Sequence, residues 1–257
     1  MAVGTLPPQK GSTSAPQIRI SDWLLPSLRS TIGSKYVVAT TGLLLVGFLF
    51  AHMAGNLLIY KGRDAINEYA QKLKGLGPLL WVARFGLLGL FVAHVGLTLR
   101  LKARNAAARP EPYRCPATVQ ASLASRTMVL SGLVIFAFVV YHLLHFTFGV
   151  VQGTADGNHF LSLMQPYRHE GEMAIRHDVY AMVVQGFSKW YVSAAYIVAQ
   201  LILGLHLSHG IASAFQTFGW NAPRWTPLIR NGSLAAVLIL VIGNCSIPLA
   251  VLAGLVR

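Results

Sequence analysis

Nine histidines occur in this chain of 257 residues. Six of them, His52, His94, His142, His145, His206 and His209, fall inside long apolar runs. An imidazole in hydrocarbon is costly unless it is paired, so a histidine at membrane depth marks a site by default. Its ring nitrogen binds metal, and two imidazoles from facing helices at one depth can clamp a haem iron from both sides. Hydrogen bonding between helices would account for one such residue, but poorly for one on each of four helices. Zinc would need three or four ligands converging on one point, with carboxylates or thiolates beside imidazole. The runs hold no Asp or Glu, and Cys115 and Cys245 form no cluster.

The elements that carry these rings are five apolar stretches, about Tyr36 to Tyr60, Leu79 to Leu101, Thr127 to Val151, Trp190 to Phe215 and Leu234 to Val256. Each is long enough for a helix to cross about 30 Å of hydrocarbon at 1.5 Å per residue. Arg84 is the one formal charge well inside them. His52 and His142 lie near the far ends of the first and third helices. His94 and His206 lie before the ends of the second and fourth, which run the other way. The four rings therefore sort into two levels, His52 with His142 and His94 with His206, roughly 10–15 Å apart by the rise per residue. Two stacked haems fit this pattern, and a metal cage does not. The fold expected is all-α and integral to the membrane, five helices bundled around two b haems, over residues 36–257.

Composition agrees. The chain is 54% hydrophobic and only 11% charged, against about a quarter charged in soluble domains. Two cysteines cannot hold a four-thiolate iron–sulfur cluster. No Gly-rich dinucleotide or phosphate-binding motif is present, so no soluble catalytic domain is expected. The net charge of +13 would suggest nucleic acid in a soluble protein; here the cations are loop residues, and no nucleic-acid partner is expected. With the N-terminus inside, the inner side carries 12 Lys and Arg against Asp22 and Glu111, and the outer side eight with six acids. This favours a cytoplasmic N-terminus and an outside C-terminus. Residues 1–35 form a polar leader in which Trp23, Leu24, Leu25 and Leu28 could make a short interfacial helix. The loop from Gly153 to Ser188 is the longest connection and is expected to cap the outer end of the bundle.

An internal repeat supports the outer pair. Thr41-Gly42-Leu43 with Phe48 and His52 recurs as Ser131-Gly132-Leu133 with Phe138 and His142. Each glycine precedes its histidine by ten residues, about three turns, on what is expected to be almost the same face. It would let a neighbouring helix or a haem edge come close. His145 and His209 follow their partners by three positions, so geometry alone allows either member of each doublet as ligand. The repeat selects His142, because Gly55 stands where His145 would. For His206 and His209 it does not choose. The spare rings would bond propionates, orient ligands or satisfy backbone.

These residues resemble the di-haem cytochrome b membrane subunit of succinate:quinone oxidoreductases, the succinate dehydrogenase and fumarate reductase family. The resemblance runs from about Ser30 onward. It rests on Ser30-Thr31-Ile32-Gly33-Ser34-Lys35, His52-Met53-Ala54-Gly55-Asn56-Leu57, Asn67-Glu68-Tyr69-Ala70 with Leu73, and Asp178-Val179-Tyr180. The most specific stretch is Gly204-Leu205-His206-Leu207-Ser208-His209-Gly210, followed by Ser213-Ala214-Phe215-Gln216-Thr217-Phe218-Gly219. It implies two haem b groups with axial ligands His52, His142, His94 and His206, the last chosen because it precedes Gly210 by four residues. It further implies a flavoprotein subunit and an iron–sulfur subunit as partners. Electrons would pass from the iron–sulfur subunit through the inner and then the outer haem to or from membrane quinone, in a bacterial-type cell membrane. The cation-rich loop from Lys102 to Arg126 would be the docking surface.

A quinone needs an apolar slot with donors and a proton route. Near the outer haem the candidates are Asn56, Tyr60, Asn67 and Tyr69, with Glu68 as proton carrier or else a solvated acid paired with a nearby Lys. Arg84 and Lys189 would neutralise haem propionates or snorkel to the interface. Two other readings keep part of the pattern: a di-haem cytochrome b of another respiratory dehydrogenase, and a transporter using histidine for metal or protons.

Overall fold

A computed structural model describes residues 30–109, 111, 121–153, 157 and 159–257. Helix α1 spans Thr31–Asn56 and runs on as a 3-10 turn, Leu57–Lys61. A short amphipathic helix α2, Arg63–Gly75, leads to α3, Pro78–Ala107. A single turn α4, Leu123–Arg126, precedes α5, Met128–His142, which continues as a π turn over Leu143–Thr147. Next comes an antiparallel hairpin, β1 Met164–His169 and β2 Glu172–His177. Helix α6, Val179–Ser188, follows it, then α7, Trp190–Thr217, and α8, Thr226–Leu252. Five of these helices are long and apolar enough to cross a membrane, which is the make of a multi-pass membrane protein.

The observed helices overrun the apolar windows where local chemistry allows. Helix α1 begins at Thr31 because the Ser30 hydroxyl accepts from the Gly33 amide at 2.9 Å, so residues 31–35 of the expected leader are its first turn. Helix α3 continues past Leu101 to Ala107 through Lys, Arg and Ala, good helix formers once outside hydrocarbon. Helix α8 starts eight residues before Leu234, with Pro227 in its first turn, where a missing N–H costs nothing. The third span ends at Thr147 instead of Val151, and Gly149 turns the chain at φ 64°.

The connection expected as a loop over Gly153–Ser188 holds a hairpin and a helix. Its turn is Glu170-Gly171, both at positive φ, the two-residue arrangement that matches strand twist. The apolar–polar alternation in β1 and β2 is too weak to read as strands; what holds them is polar docking on α2. Leader residues Trp23, Leu24, Leu25 and Leu28, the acid Asp156, and Arg114 with Cys115 of the Lys102–Arg126 loop lie outside the described residues.

Helices α7 and α8 cross closely at Gly204, where an added Cβ would lie 2.8 Å from Val241 Cγ2; small residues permit such approaches where hydrocarbon gives no drive to associate. Met53 of α1 is buried against Gly243 of α8, its Sδ filling the place of a Cβ. That contact fixes the rotation of α1 and turns the neighbouring His52 toward α5.

Candidate functional site

Of the two expected pairs, the structure shows direct ring contact for one. His52 and His142 face one another with centroids 5.8 Å apart and planes at 89°. Both helices end just beyond these residues and run in the same direction. His94 and His206 lie on α3 and α7, which run opposite to α1 and α5, and each is held by one of those helices. Among the described residues the close helix pairings are α1 with α3, α1 with α7, α5 with α7, and α7 with α8. The pairs that carry matched histidines, α1 with α5 and α3 with α7, are not among them, so each histidine pair spans a gap between helices.

The inner rings are seated by the repeat. His94 Nδ1 lies 3.2 Å from Thr41 Oγ1 and 3.1 Å from the Val38 carbonyl. His206 Nδ1 lies 3.0 Å from Ser131 Oγ. A Cβ on Gly42 would stand 3.0 Å from His94 Cε1, and one on Gly132 would stand 3.4 Å from His206 Cε1. Thr41-Gly42 and Ser131-Gly132 thus make two copies of one socket, each a hydroxyl for the ring nitrogen and a bare Cα for the ring edge.

This corrects the expected geometry of the repeat. Ten residues are about 2.8 turns, which leaves each glycine roughly 80° round the helix from its histidine. The fold uses that offset: α1 turns Gly42 to α3 and His52 to α5. Thr41 precedes His52 by eleven residues, as Ser131 precedes His142. At 1.5 Å per residue the two imidazole levels are about 16 Å apart along these helices.

The spare histidines differ in setting. His145, in the π turn, is fully buried; its Nδ1 is 2.8 Å from Tyr196 Oη and its Nε2 has no partner. The same hydroxyl lies 3.4 Å from His142 Nδ1. His209 is half-buried beside His206.

At the end of the bundle where α1 and α5 finish, α2, the hairpin and α6 form a cap tied by a polar network. Asn67, 1% exposed, donates through Nδ2 to Gln165 Oε1 at 2.7 Å and Asp178 Oδ1 at 2.9 Å. Its Oδ1 accepts from the Tyr180 amide at 2.9 Å. Arg176 donates to Gln165 Oε1 and to Asp64 Oδ1, with its guanidinium over Tyr167. Asp178 caps α6 through the Ala181 amide and pairs with Arg63 at 3.5 Å. Asn67, named as a quinone candidate, is therefore wholly engaged in holding the cap.

The other candidates at this end are placed as follows. Tyr69 lies against Gly55, its Cε1 2.6 Å from where a Cβ would be, one turn from His52. Tyr60 donates to Ser246 Oγ of α8 at 2.8 Å. Asn56 closes α1 and is half-buried. Glu68 is exposed and pairs with Lys72 at 2.7 Å; the hydrogen bond and charge of that ammonium hold its carboxyl below the usual range. Arg84 stacks on Trp81 with its charge 4.9 Å from the ring centre. Burial, and then the charge of Arg84, lowers the Lys74 ammonium from its ordinary value. Lys189, between α6 and α7, donates to Gln152 Oε1 and the Gly153 carbonyl, pinning the chain that leaves α5.

A cavity of about 180 Å³ opens between α2 and β2, with Lys74, Arg176 and His177 on its wall. Both ring nitrogens of His177 are buried without a well-formed hydrogen bond, the Phe160 backbone being the near polar neighbour. Burial, and then the charge of Lys74, lowers its pKa from 6.5, against the milder opposite pulls of the Phe160 backbone and then Asp178. The unfolded chain then binds more protons between the two values, so stability of the cap rises with pH there. We expect the protection of amides in residues 164–177, corrected for the intrinsic pH dependence of exchange, to fall as pH drops below 6.5, and His177→Gln to flatten that limb. An unchanged limb in the variant would remove His177 as its source.

No protein-family model, curated protein or solved structure matches this chain.

Proposed function

We propose that this chain is a bis-histidine di-haem cytochrome b of the membrane, with His52 and His142 binding one iron and His94 and His206 the other. More particularly, it is the membrane-anchor subunit of a succinate dehydrogenase or fumarate reductase, working with a flavoprotein subunit, an iron–sulfur subunit and membrane quinone. The observation that supports the reading is the placing of four imidazoles at two levels: His52 and His142 face one another, and His94 and His206 sit in duplicate Ser/Thr-Gly sockets.

The donor set suits the group. Two imidazoles on opposite sides of one metal, with metal–nitrogen bonds of about 2 Å, have ring centres roughly 6 Å apart, close to the 5.8 Å of His52 and His142. Perpendicular ring planes are compatible with that clamp. Bare glycines beside the inner rings leave their edges unobstructed, and no carboxylate competes within the spans. One-electron carriage at two depths is the chemistry such haems supply when bound.

The chain's own residues do the rest. Thr41, Val38 and Ser131 hold the Nδ1 atoms of His94 and His206, which leaves the Nε2 atoms free to ligate. Arg84, Lys74 and Lys189 place positive charge at the outer end, where propionates would be neutralised. Tyr69 and Asn56 are the donors for a quinone there, while Tyr60 gives its proton to Ser246 and Glu68, exposed and paired with Lys72, fits the solvated acid better than a proton carrier. The N-terminus lies in the cytoplasm of a bacterial-type cell, with the iron–sulfur subunit on the inner face.

The test is an optical spectrum and haem count on the purified chain. A low-spin b-type spectrum at two haems per chain is expected, and a colourless protein overturns the reading. Succinate-dependent quinone reduction by the complex purified with its subunits separates this assignment from a cytochrome b serving another dehydrogenase.

A further inference from the structure

Tyr196 and His145 are used by nothing described so far, although both are buried among the rings that carry the proposed function. Tyr196 of α7 packs edge-on against Phe138 and Phe187, each with centroids 4.9 Å away. Its hydroxyl sits between two imidazoles, 2.8 Å from His145 Nδ1 and 3.4 Å from His142 Nδ1. His145 stacks on Phe146 at 3.9 Å. Its Nε2 is unpartnered and closely packed, with an added Cβ on Gly186 only 3.1 Å away. It points at α6.

A hydroxyl has one proton to give, so it cannot donate to both rings. If His142 ligates through Nε2, its proton is on Nδ1, and the Tyr196 oxygen accepts it. Tyr196 must then donate to His145 Nδ1, which puts the His145 proton on Nε2. That is the atom left without a partner. A buried unpaired N–H calls for a reason, and here the reason is the chain of donors it completes.

We propose that His145 and Tyr196 are positioning residues for the outer ligand: His145 orients the Tyr196 hydroxyl, which fixes the Nδ1–H form and ring angle of His142. The inference rests on the haem reading above for the direction of the hydrogen bonds and for its consequence, but not for the contacts themselves. The outer level thus has its own counterpart of the Thr41 and Ser131 sockets, built from a different helix. A hydrogen bond accepted from Nδ1–H makes a ligand ring a stronger electron donor, which lowers the potential of the metal it holds.

The test compares the full chain with Tyr196→Phe, His145→Leu and His145→Asn. The first removes the hydroxyl and keeps the ring packing. The second removes the acceptor, and the third restores a polar atom near the Nδ1 position. In redox titrations we expect two haems in every variant. The haem that His142→Ala abolishes should move to higher potential in Tyr196→Phe and His145→Leu. His145→Asn should return it toward the parent value, and the other haem should stay unmoved. Equal shifts of both haems, or none, overturn the proposal. If Tyr196→Phe fails to fold, the His145 pair decides the matter alone. Should the parent chain be colourless, the functional reading falls separately. The ¹⁵N resonances of His142 then report the pair: a tautomer preference of either sense in the parent that is lost in Tyr196→Phe and His145→Leu supports the relay, and an unaltered tautomer refutes it.

Discussion

Under the proposed di-haem assignment, Gly42→Val is expected to remove one haem from the purified protein and leave the other in place. The glycine is the floor of the socket that seats His94. A Cβ there would be 3.0 Å from the ring's Cε1, and the two methyls of valine would occupy the remaining space. The ring cannot retreat freely, because its Nδ1 is held by both Thr41 Oγ1 and the Val38 carbonyl. Overpacking of this kind costs about 1–3 kcal/mol, enough to lower affinity at that site from fivefold to over a hundredfold. The outer pair is eleven residues along α1 and faces another helix. Gly132→Val, with 3.4 Å of clearance from His206, should act in the same direction and less strongly. Gly89→Val is the control, since that residue is exposed and nothing lies within 4 Å of its added Cβ. Haem per chain, counted spectroscopically across the three, should fall in the order Gly89, Gly132, Gly42. Full occupancy in Gly42→Val would show that the socket does not govern the inner ring.

The second large effect is expected at the cap. Asn67→Leu removes two donated hydrogen bonds and strands the Tyr180 amide, whose acceptor was the Asn67 carbonyl. Gln165 keeps Arg176 and Asp178 keeps Ala181, so the network is weakened at its centre and survives at its edges. Losing buried bonds and orphaning a backbone donor costs about 2–4 kcal/mol. That should release the hairpin while the apolar bundle stays assembled. Protease cleavage and fast amide exchange confined to residues 164–177 would report it. If the hairpin stays protected, its hold lies elsewhere, in the stacking of Arg176 on Tyr167 or the Asp64 bond.

Much of this architecture is visible in the amino-acid order. Hydrophobic runs of membrane length identify the five long helices, and the direction of each helix suffices to sort four histidines into two levels. The bounds drift where capping or helix propensity acts beyond hydropathy, as at Ser30 and along Lys102 to Ala107. The hairpin is hidden because Met164 to His169 alternates poorly and its stabilising partners, Asp64 and Asn67, are a hundred residues away. The Ser/Thr-Gly repeat is plain in sequence, but its purpose is not. What it touches belongs to another helix, and only the relative rotation of α1 and α3 reveals that Gly42 serves His94. Tyr196 carries no sequence signal, since a tyrosine near the start of a membrane helix is ordinary interfacial chemistry. The doublet His142 and His145 was the available hint, and the π turn that follows His142 separates their roles.

Each socket stands on the same rod as a histidine of the opposite level, so α1 and α5 work like keys cut on two edges. A side-chain change can spoil one edge alone. A slip of α1 by one residue would swing both by about 100°, carrying His52 out of its couple and taking the floor from beneath His94 in one motion. A fault in the placement of α1 therefore disturbs both imidazole levels at once, whereas a shift of α3 would touch His94 alone.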